Sequence, residues 1–228
     1  MGAMQKLAGL MRRAIEKYDM IQPNDRIAVG VSGGKDSVAL LVGLCKLREY
    51  IGIPYEVVAI TLDPCFGGVE TDYTPIAQLC EQLGVPYALK RTEIGQIIFD
   101  VRNESNPCSL CARMRRGCLH DAAKENNCNK IALGHHYDDA IETFIMNLFQ
   151  EGRVGCFQPV TYLSRKDLTM IRPMVRHEGL PVVKSKCPAD GNTNREKTKE
   201  WIRMMDKESK GFKKRLYGAL ERGHISGF

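Results

Sequence analysis

The chain has 228 residues, 43% hydrophobic and 26% charged, which fits one sizeable α/β domain with room for a small appendage and excludes a mostly disordered protein. No apolar run nears the roughly 18–20 residues that a membrane span needs, and Met1 to Met20 shows no apolar stretch ending in a small-residue cleavage site, so a cytoplasmic protein with no membrane partner is expected. The net charge is +6, and Lys184 to Phe228 holds 12 basic against 6 acidic residues, so the last fifth of the chain carries the whole excess. Such a segment suits the phosphates of a nucleic acid. It could equally be a solvated helix with pairs such as Glu196–Lys199 and Glu200–Arg203.

In chain order, Leu7, Leu10, Met11, Ala14 and Ile15 recur at helical spacing, and Gln22 to Asp25 is a turn. Ile27 to Val31 is a short β-branched apolar run, as in a buried parallel strand. Val38 to Tyr50 reads as a helix with Leu40, Leu41, Leu44 and Leu47 on its apolar side. A second strand spans Tyr55 to Thr61, and a helix spans Tyr73 to Leu83. Pro86 to Leu89 is a short strand, and Ile94 to Val101 a turn or two of helix. Cys111 to Asn126 is a helix, Lys130 to Leu133 a buried strand, and Asp138 to Phe149 a helix. From about Arg195 the chain is again helical, and basic, with breaks at Gly211 and Gly223. The alternation predicts a Rossmann-like α/β fold, a parallel sheet with helices on both faces. Ligands of such sheets bind beyond the C-terminal strand ends.

Three motifs fall at those ends. Val31-Ser32-Gly33-Gly34-Lys35-Asp36-Ser37 runs from a strand through a glycine turn into a helix. The glycines let backbone approach a ligand, and the first helical amides, with no partners of their own, suit an anion. Lys35 adds a charge, Ser32 and Ser37 add hydroxyls, and Asp36 caps the helix or places a magnesium ion among phosphates. The spacing is neither the Walker pattern nor the dinucleotide fingerprint.

The second motif is Cys108-Ser-Leu-Cys111, just ahead of a helix. Two thiols at this spacing chelate one metal or one cluster edge, and Arg113, Arg115 and Arg116 favour thiolates or a bound anion. An odd total of 9 cysteines argues against a disulfide framework. Cys187, stiffened by Pro188, is the best third ligand, because Cys118 lies about 10 Å along the helix from Cys111. Cys45, Cys65, Cys80, Cys128 and Cys156 read as small incidental thiols.

Gly134-His135-His136-Tyr137-Asp138-Asp139 is the third. Gly134 admits a nucleotide, and His135 and His136 are available to phosphate or base. Asp138 and Asp139 favour a helix start, and Asp139 could share a metal ion with Glu142. Asp63, after the second strand, is either near a nucleoside or a plain turn residue.

Ser-Gly-Gly-Lys-Asp-Ser after a first strand resembles the pyrophosphate loop of the N-type ATP pyrophosphatases, the PP-loop superfamily with its adenine nucleotide α-hydrolase-like fold. That family adenylates a carbonyl oxygen and releases pyrophosphate. Cys-Ser-Leu-Cys-Ala-Arg-Met-Arg-Arg-Gly followed by Gly-His-His-Tyr-Asp-Asp-Ala-Ile-Glu-Thr looks like the tRNA 2-thiocytidine synthetases. The likeness runs from about Ile27 to Pro173 and resumes around Leu180 to Asn194.

The resemblance implies a 4Fe–4S cluster on Cys108, Cys111 and Cys187, leaving one iron open for the sulfur to be transferred. It implies ATP and Mg2+ on residues 31–37 with Gly134, His135 and Asp139, and Lys35, Asp36, Arg115 and Asp139 near the reacting phosphate. The implied partners are tRNA, a sulfur donor (a cysteine desulfurase or free sulfide) and a second copy in a homodimer. Only Met174 to Gly179 separate Ile171-Arg172-Pro173 from Leu180-Pro181, where the family usually has a helix-sized segment. Terminal zinc-binding cysteine pairs, typical of the 2-thiouridine branch, do not occur, which favours cytidine. The alternatives are that uridine branch or an amidating or lysidine-forming ligase, which needs no Cys108/Cys111 pair. The expected organisation is an N-terminal helix over 1–26, a catalytic domain over 27–183, and a basic segment over 184–228 that contacts tRNA, with Trp201 either on the RNA or a core anchor.

Overall fold

A computed structural model of the protein describes residues 2–101, 107–177 and 194–228. Six strands form one sheet: β1 (Asp25–Gly30), β2 (Tyr55–Asp63), β3 (Tyr87–Arg91), β4 (Lys130–Ala132), β5 (Val160–Leu163) and β6 (Leu168–Ile171). Their order is β3-β2-β1-β4-β6-β5. All neighbours pair in parallel except β5, which runs antiparallel to β6 at the edge. The order reverses between β1 and β4, so the crevice that parallel α/β sheets use for ligands opens beyond the C-terminal ends of those two strands.

The helices are α1 (Ala3–Lys17), α2 (Lys35–Leu47), α3 (Thr74–Gln82), the short α4 (Ile94–Gln96), α5 (Pro107–Glu125), α6 (Tyr137–Gln150), α7 (Asn194–Glu208) and α8 (Phe212–Arg222). A single π turn over Ile97–Val101 continues α4. One face of the sheet packs on α1, α2 and α6 through Met11, Ile15, Ile27, Val29, Leu40, Leu44 and Ile141, all buried. The other face packs on α5 through Val58, Ile60, Ile131, Leu119 and Ala123. Burial on both faces explains why β1 and β2 read as continuous apolar runs rather than alternating ones. Removal of this apolar surface from water, at about 25 cal/mol per Å2, is the main force holding the layers together.

The expected elements fall within a few residues of those observed. Two differences bear on the site. Helix α5 begins at Pro107, four residues before the expected Cys111, so Cys108 lies inside its first turn rather than ahead of it. That fits Pro107 at the start of a helix, where its missing N–H costs nothing. The β5–β6 hairpin has no counterpart in the sequence reading. Each of its strands is four residues long, too short to show a period.

Helices α7 and α8 pack on α6. Half-buried Trp201 stands edge-on between Phe149 (5.6 Å between ring centres) and Phe212 (5.9 Å), so it anchors these helices. The Glu196–Lys199 pair forms at 4.0 Å. No Glu200–Arg203 pair forms among the described residues. No helix among the described residues is long and apolar enough to cross a membrane.

Candidate active site at the C-terminal edge of the sheet

β1 ends in Gly30, and the phosphate loop turns directly into α2. Gly33 takes φ +79°, a left-handed conformation that side chains resist. Gly34 is the N-cap of α2. The loop is held by its own hydroxyls. Ser37 Oγ donates to the Gly34 carbonyl at 2.7 Å and accepts from the Ser32 amide at 3.1 Å, while Ser32 Oγ accepts from the Gly34 amide at 3.3 Å. The amides of Gly33, Lys35 and Asp36 have no acceptor among the described residues, so three N–H groups at a helix start are left for an anion.

Lys35 Nζ lies 2.5 Å from Asp36 Oδ2, while Asp36 Oδ1 is buried without a hydrogen-bond partner. The buried carboxylate oxygen fits one position of a magnesium ion. Mg2+ is commonly held by one or two carboxylates together with phosphate oxygens and water.

A cleft of about 620 Å3 opens here. Val31, Ser32, Asp36 and Ser37 line it from the loop after β1, Gly134, His135 and Asp139 from the segment after β4, and Arg115 from α5. Three separate stretches of sequence therefore meet around one cavity. Gly33, Gly34, Lys35 and Cys111 are not part of its lining. A Cβ on Gly134 would lie 3.2 Å from the Asp36 carbonyl carbon and oxygen and 3.3 Å from the Ser37 nitrogen. A side chain there would make the Asp36–Ser37 backbone give by a few tenths of an ångström.

Asp139 and His136 form a reciprocal cap on α6. The Asp139 carboxylate accepts from the His136 amide at 2.9 Å, and His136 Nδ1 accepts from the Asp139 amide at 3.4 Å. This capping leaves Asp139 Oδ1 on the cleft side, 3.9 Å from Arg195. The expected metal site between Asp139 and Glu142 is corrected by the structure: Arg195 occupies it, with Nε 3.2 Å from Glu142 Oε2 and Nη2 3.2 Å from Thr143 Oγ1. A guanidinium is the counter-charge here. Burial still pushes the Glu142 carboxyl up to about 7, against the pull of Arg195.

His135 is half-buried and packs against Phe157, with ring centres 5.1 Å apart. Burial, then Arg172, push its pKa down to about 4, so it faces the cleft as a neutral imidazole, with Nδ1 unpartnered. Asp63 is also settled: fully buried, it accepts from the amides of Cys65 (3.2 Å) and Thr71 (2.8 Å), and so ties down the loop after β2. Asp138 pairs with Lys213 at 2.8 Å.

Among the scattered cysteines, Cys45, Cys80 and Cys128 are buried and Cys65 and Cys156 half-buried. Burial pushes the Cys156 thiol up to about 12, so it stays protonated and inert. Cys111 is half-buried near the start of α5, four residues ahead of Arg115 and so on the same helix face. Cys187 and the side chain of Cys108 lie outside the described residues. Two lining residues, Arg172 and Arg195, received no role in the sequence reading. Neither stands in a spaced motif, and only the packing of β6 and α7 brings them to the cleft.

Comparison with known proteins fits this geometry. A family model described as a PP-loop domain matches residues 5–185. The tRNA-cytidine(32) 2-sulfurtransferase of Syntrophotalea carbinolica is 38% identical, over 95% of this chain and 88% of that protein. The enzyme of the same name from Citrifermentans bemidjiense is 36% identical, over 97% and 92%. Among solved structures, the U34-tRNA thiolase NcsA from Methanococcus maripaludis with its [4Fe-4S] cluster shares the fold, with a TM-score of 0.75 at 24% identity over 96% of this chain and 79% of that one. The chain belongs to the PP-loop family, in the branch that the tRNA-cytidine(32) 2-sulfurtransferases represent.

Proposed function

We propose that this chain is an ATP-dependent tRNA sulfurtransferase that converts a cytidine to 2-thiocytidine. One observation carries the reading: Val31, Ser32, Asp36 and Ser37 of the phosphate loop, Gly134, His135 and Asp139 after β4, and Arg115 line a single cleft, and Arg115 rises from the helix whose opening turns bear Cys111. The four-residue separation of Cys111 and Arg115 on one helix supports an activating site beside a thiol site. The relatives' names favour cytidine over uridine.

In this reading the free amides of Gly33, Lys35 and Asp36, with the Lys35 ammonium, bind the phosphates of ATP, and Asp36 positions Mg2+. The C2 oxygen of the cytidine attacks the α phosphorus, and the bond to the bridging oxygen breaks, releasing pyrophosphate. Lys35 and Arg115 offset the charge that accumulates. The oxygen now leaves as AMP when a sulfur nucleophile adds to C2. Asp139, held by the His136 cap, faces this exchange. A 4Fe–4S cluster on Cys108, Cys111 and Cys187 would supply sulfur at an iron without a protein ligand.

The base must enter unpaired, since a stacked base hides its edge. The exposed cations of α7 and α8 receive the tRNA backbone. A cysteine desulfurase or free sulfide replenishes the sulfur, the working unit is a homodimer, and reduced thiols with a tRNA substrate fit the cytoplasm. Incubating the anaerobic protein with ATP, sulfide and unmodified tRNA, followed by nucleoside analysis, tests the reading. 2-Thiocytidine with one pyrophosphate released per base supports it. 2-Thiouridine, or product without ATP, sinks it.

A further inference from the structure

Arg172 follows the last residue of β6 and stands at the same sheet edge as the phosphate loop. It is 7% exposed and lines the cleft. Its guanidinium is fixed on several sides. Nη1 donates to the Gln158 carbonyl and, at 3.2 Å, to Thr161 Oγ1. Nη2 meets Met170 Sδ at 3.4 Å, and the group lies over the Phe157 ring, 5.0 Å from its centre. These contacts account for holding the β5–β6 hairpin. They do not account for the charge, because no carboxylate pairs with Arg172 among the described residues, and its buried Nε–H has no acceptor. Burial pushes its pKa down to about 10, with Arg116 acting in the same direction, so it remains a cation at neutral pH. A buried cation without a counter-ion is expensive. An anion entering the cleft would remove that cost.

Position selects the anion. β1, β4 and β6 are adjacent parallel strands, so the start of Arg172 lies about 10 Å across the sheet from the phosphate loop. In the adenylation reading the loop holds the departing pyrophosphate, which puts a cation on the β6 side beside the phosphoryl group that stays behind. An RNA backbone phosphate would instead be met outside the cleft, by exposed cations such as Lys214.

We infer that Arg172 is a binding residue for the α phosphate of the nucleotide, donating from Nε–H to a non-bridging oxygen as the bond to pyrophosphate breaks. The inference rests on the adenylation reading, but its test does not need thiolation. Binding of AMP, adenosine and pyrophosphate to the whole anaerobic protein is measured by calorimetry, alongside tRNA binding. Arg172→Met is expected to weaken AMP by about tenfold or more, the usual scale of one charge-assisted hydrogen bond, with adenosine and pyrophosphate within about twofold. Arg172→Lys keeps the charge and loses the fixed fork. It should fall between Met and wild type for AMP, and it serves alone if the Met variant does not fold.

Unchanged AMP affinity in the variants, equal loss of AMP and adenosine, or loss of tRNA alone each overturns the inference, the last by assigning Arg172 to RNA. A wild-type protein that binds AMP through Arg172 yet makes no thiolated nucleoside would break the thiolation reading and leave this one standing.

Discussion

Two regions of the molecule are positively charged, and they differ in what the charge meets. The helices α7 and α8 carry most of the basic residues that set the net charge, and their most inward cations stand beside acids. Arg195 pairs with Glu142, and Lys213 with Asp138. At the sheet edge, among the described residues, buried Arg172 pairs with no acid and three loop amides have no acceptor. Number of charges therefore says little about where chemistry happens. An unsatisfied charge held in place by neutral contacts says more, because the fold bears its desolvation cost continuously. The tail's outward cations, in contrast, are solvated and individually cheap.

The largest predicted effect belongs to the sheet edge. Lys35→Ala or Asp36→Ala should lower single-turnover pyrophosphate release by about a hundredfold or more, the scale of removing one stabilising group from a reacting centre. Rates within about threefold of wild type, far short of that scale, would remove the phosphate loop from the mechanism. Next comes Gly134→Ala. The added carbon would press on Asp36 and Ser37 backbone, and forcing the loops apart should cost about 1–3 kcal/mol, read as a lower urea midpoint together with weaker ATP binding.

A third test probes how the basic helices brace the cleft. Glu142 keeps its proton longer in the native state than in the unfolded chain, so its contribution is full below about 4.5 and fades as pH rises to about 7. His135 works oppositely: its native pKa near 4 means stability falls as pH drops from about 6.5. In wild type the two slopes offset. Glu142→Gln should leave stability rising with pH between about 4 and 6.5, and His135→Asn should leave it falling between about 4.5 and 7. Urea midpoints at a series of pH values check both slopes.

The smallest effect is expected on the tail. Lys214→Ala should weaken tRNA binding a few-fold at most and reduce the salt slope by about one counter-ion, with AMP affinity unchanged. An equal loss of AMP binding would show that the two regions are not separate.

The phosphate loop and the cysteine pair were legible because each is a contiguous run whose residue types match one chemistry. His135 was legible as a member of the third motif, but its state was not. The sequence offers two adjacent histidines, and burial beside Phe157 makes one a neutral cleft wall while the other becomes a helix cap. The expected metal pair Asp139–Glu142 failed for a related reason: helical spacing puts two acids on one face without revealing that Arg195, far along the chain, covers them.

By itself, the sequence determined the alternation of strands and helices, the turn at Gly33 and the identity of the groups at the strand ends, since these depend on neighbours along the chain and on local periodicity. The tertiary structure alone decided the strand order, the β5–β6 hairpin and the arrival of Arg172 and Arg195 at the cleft. Those outcomes depend on which distant side chains share a buried space, and burial of charge is a property of that space rather than of any local run of residues.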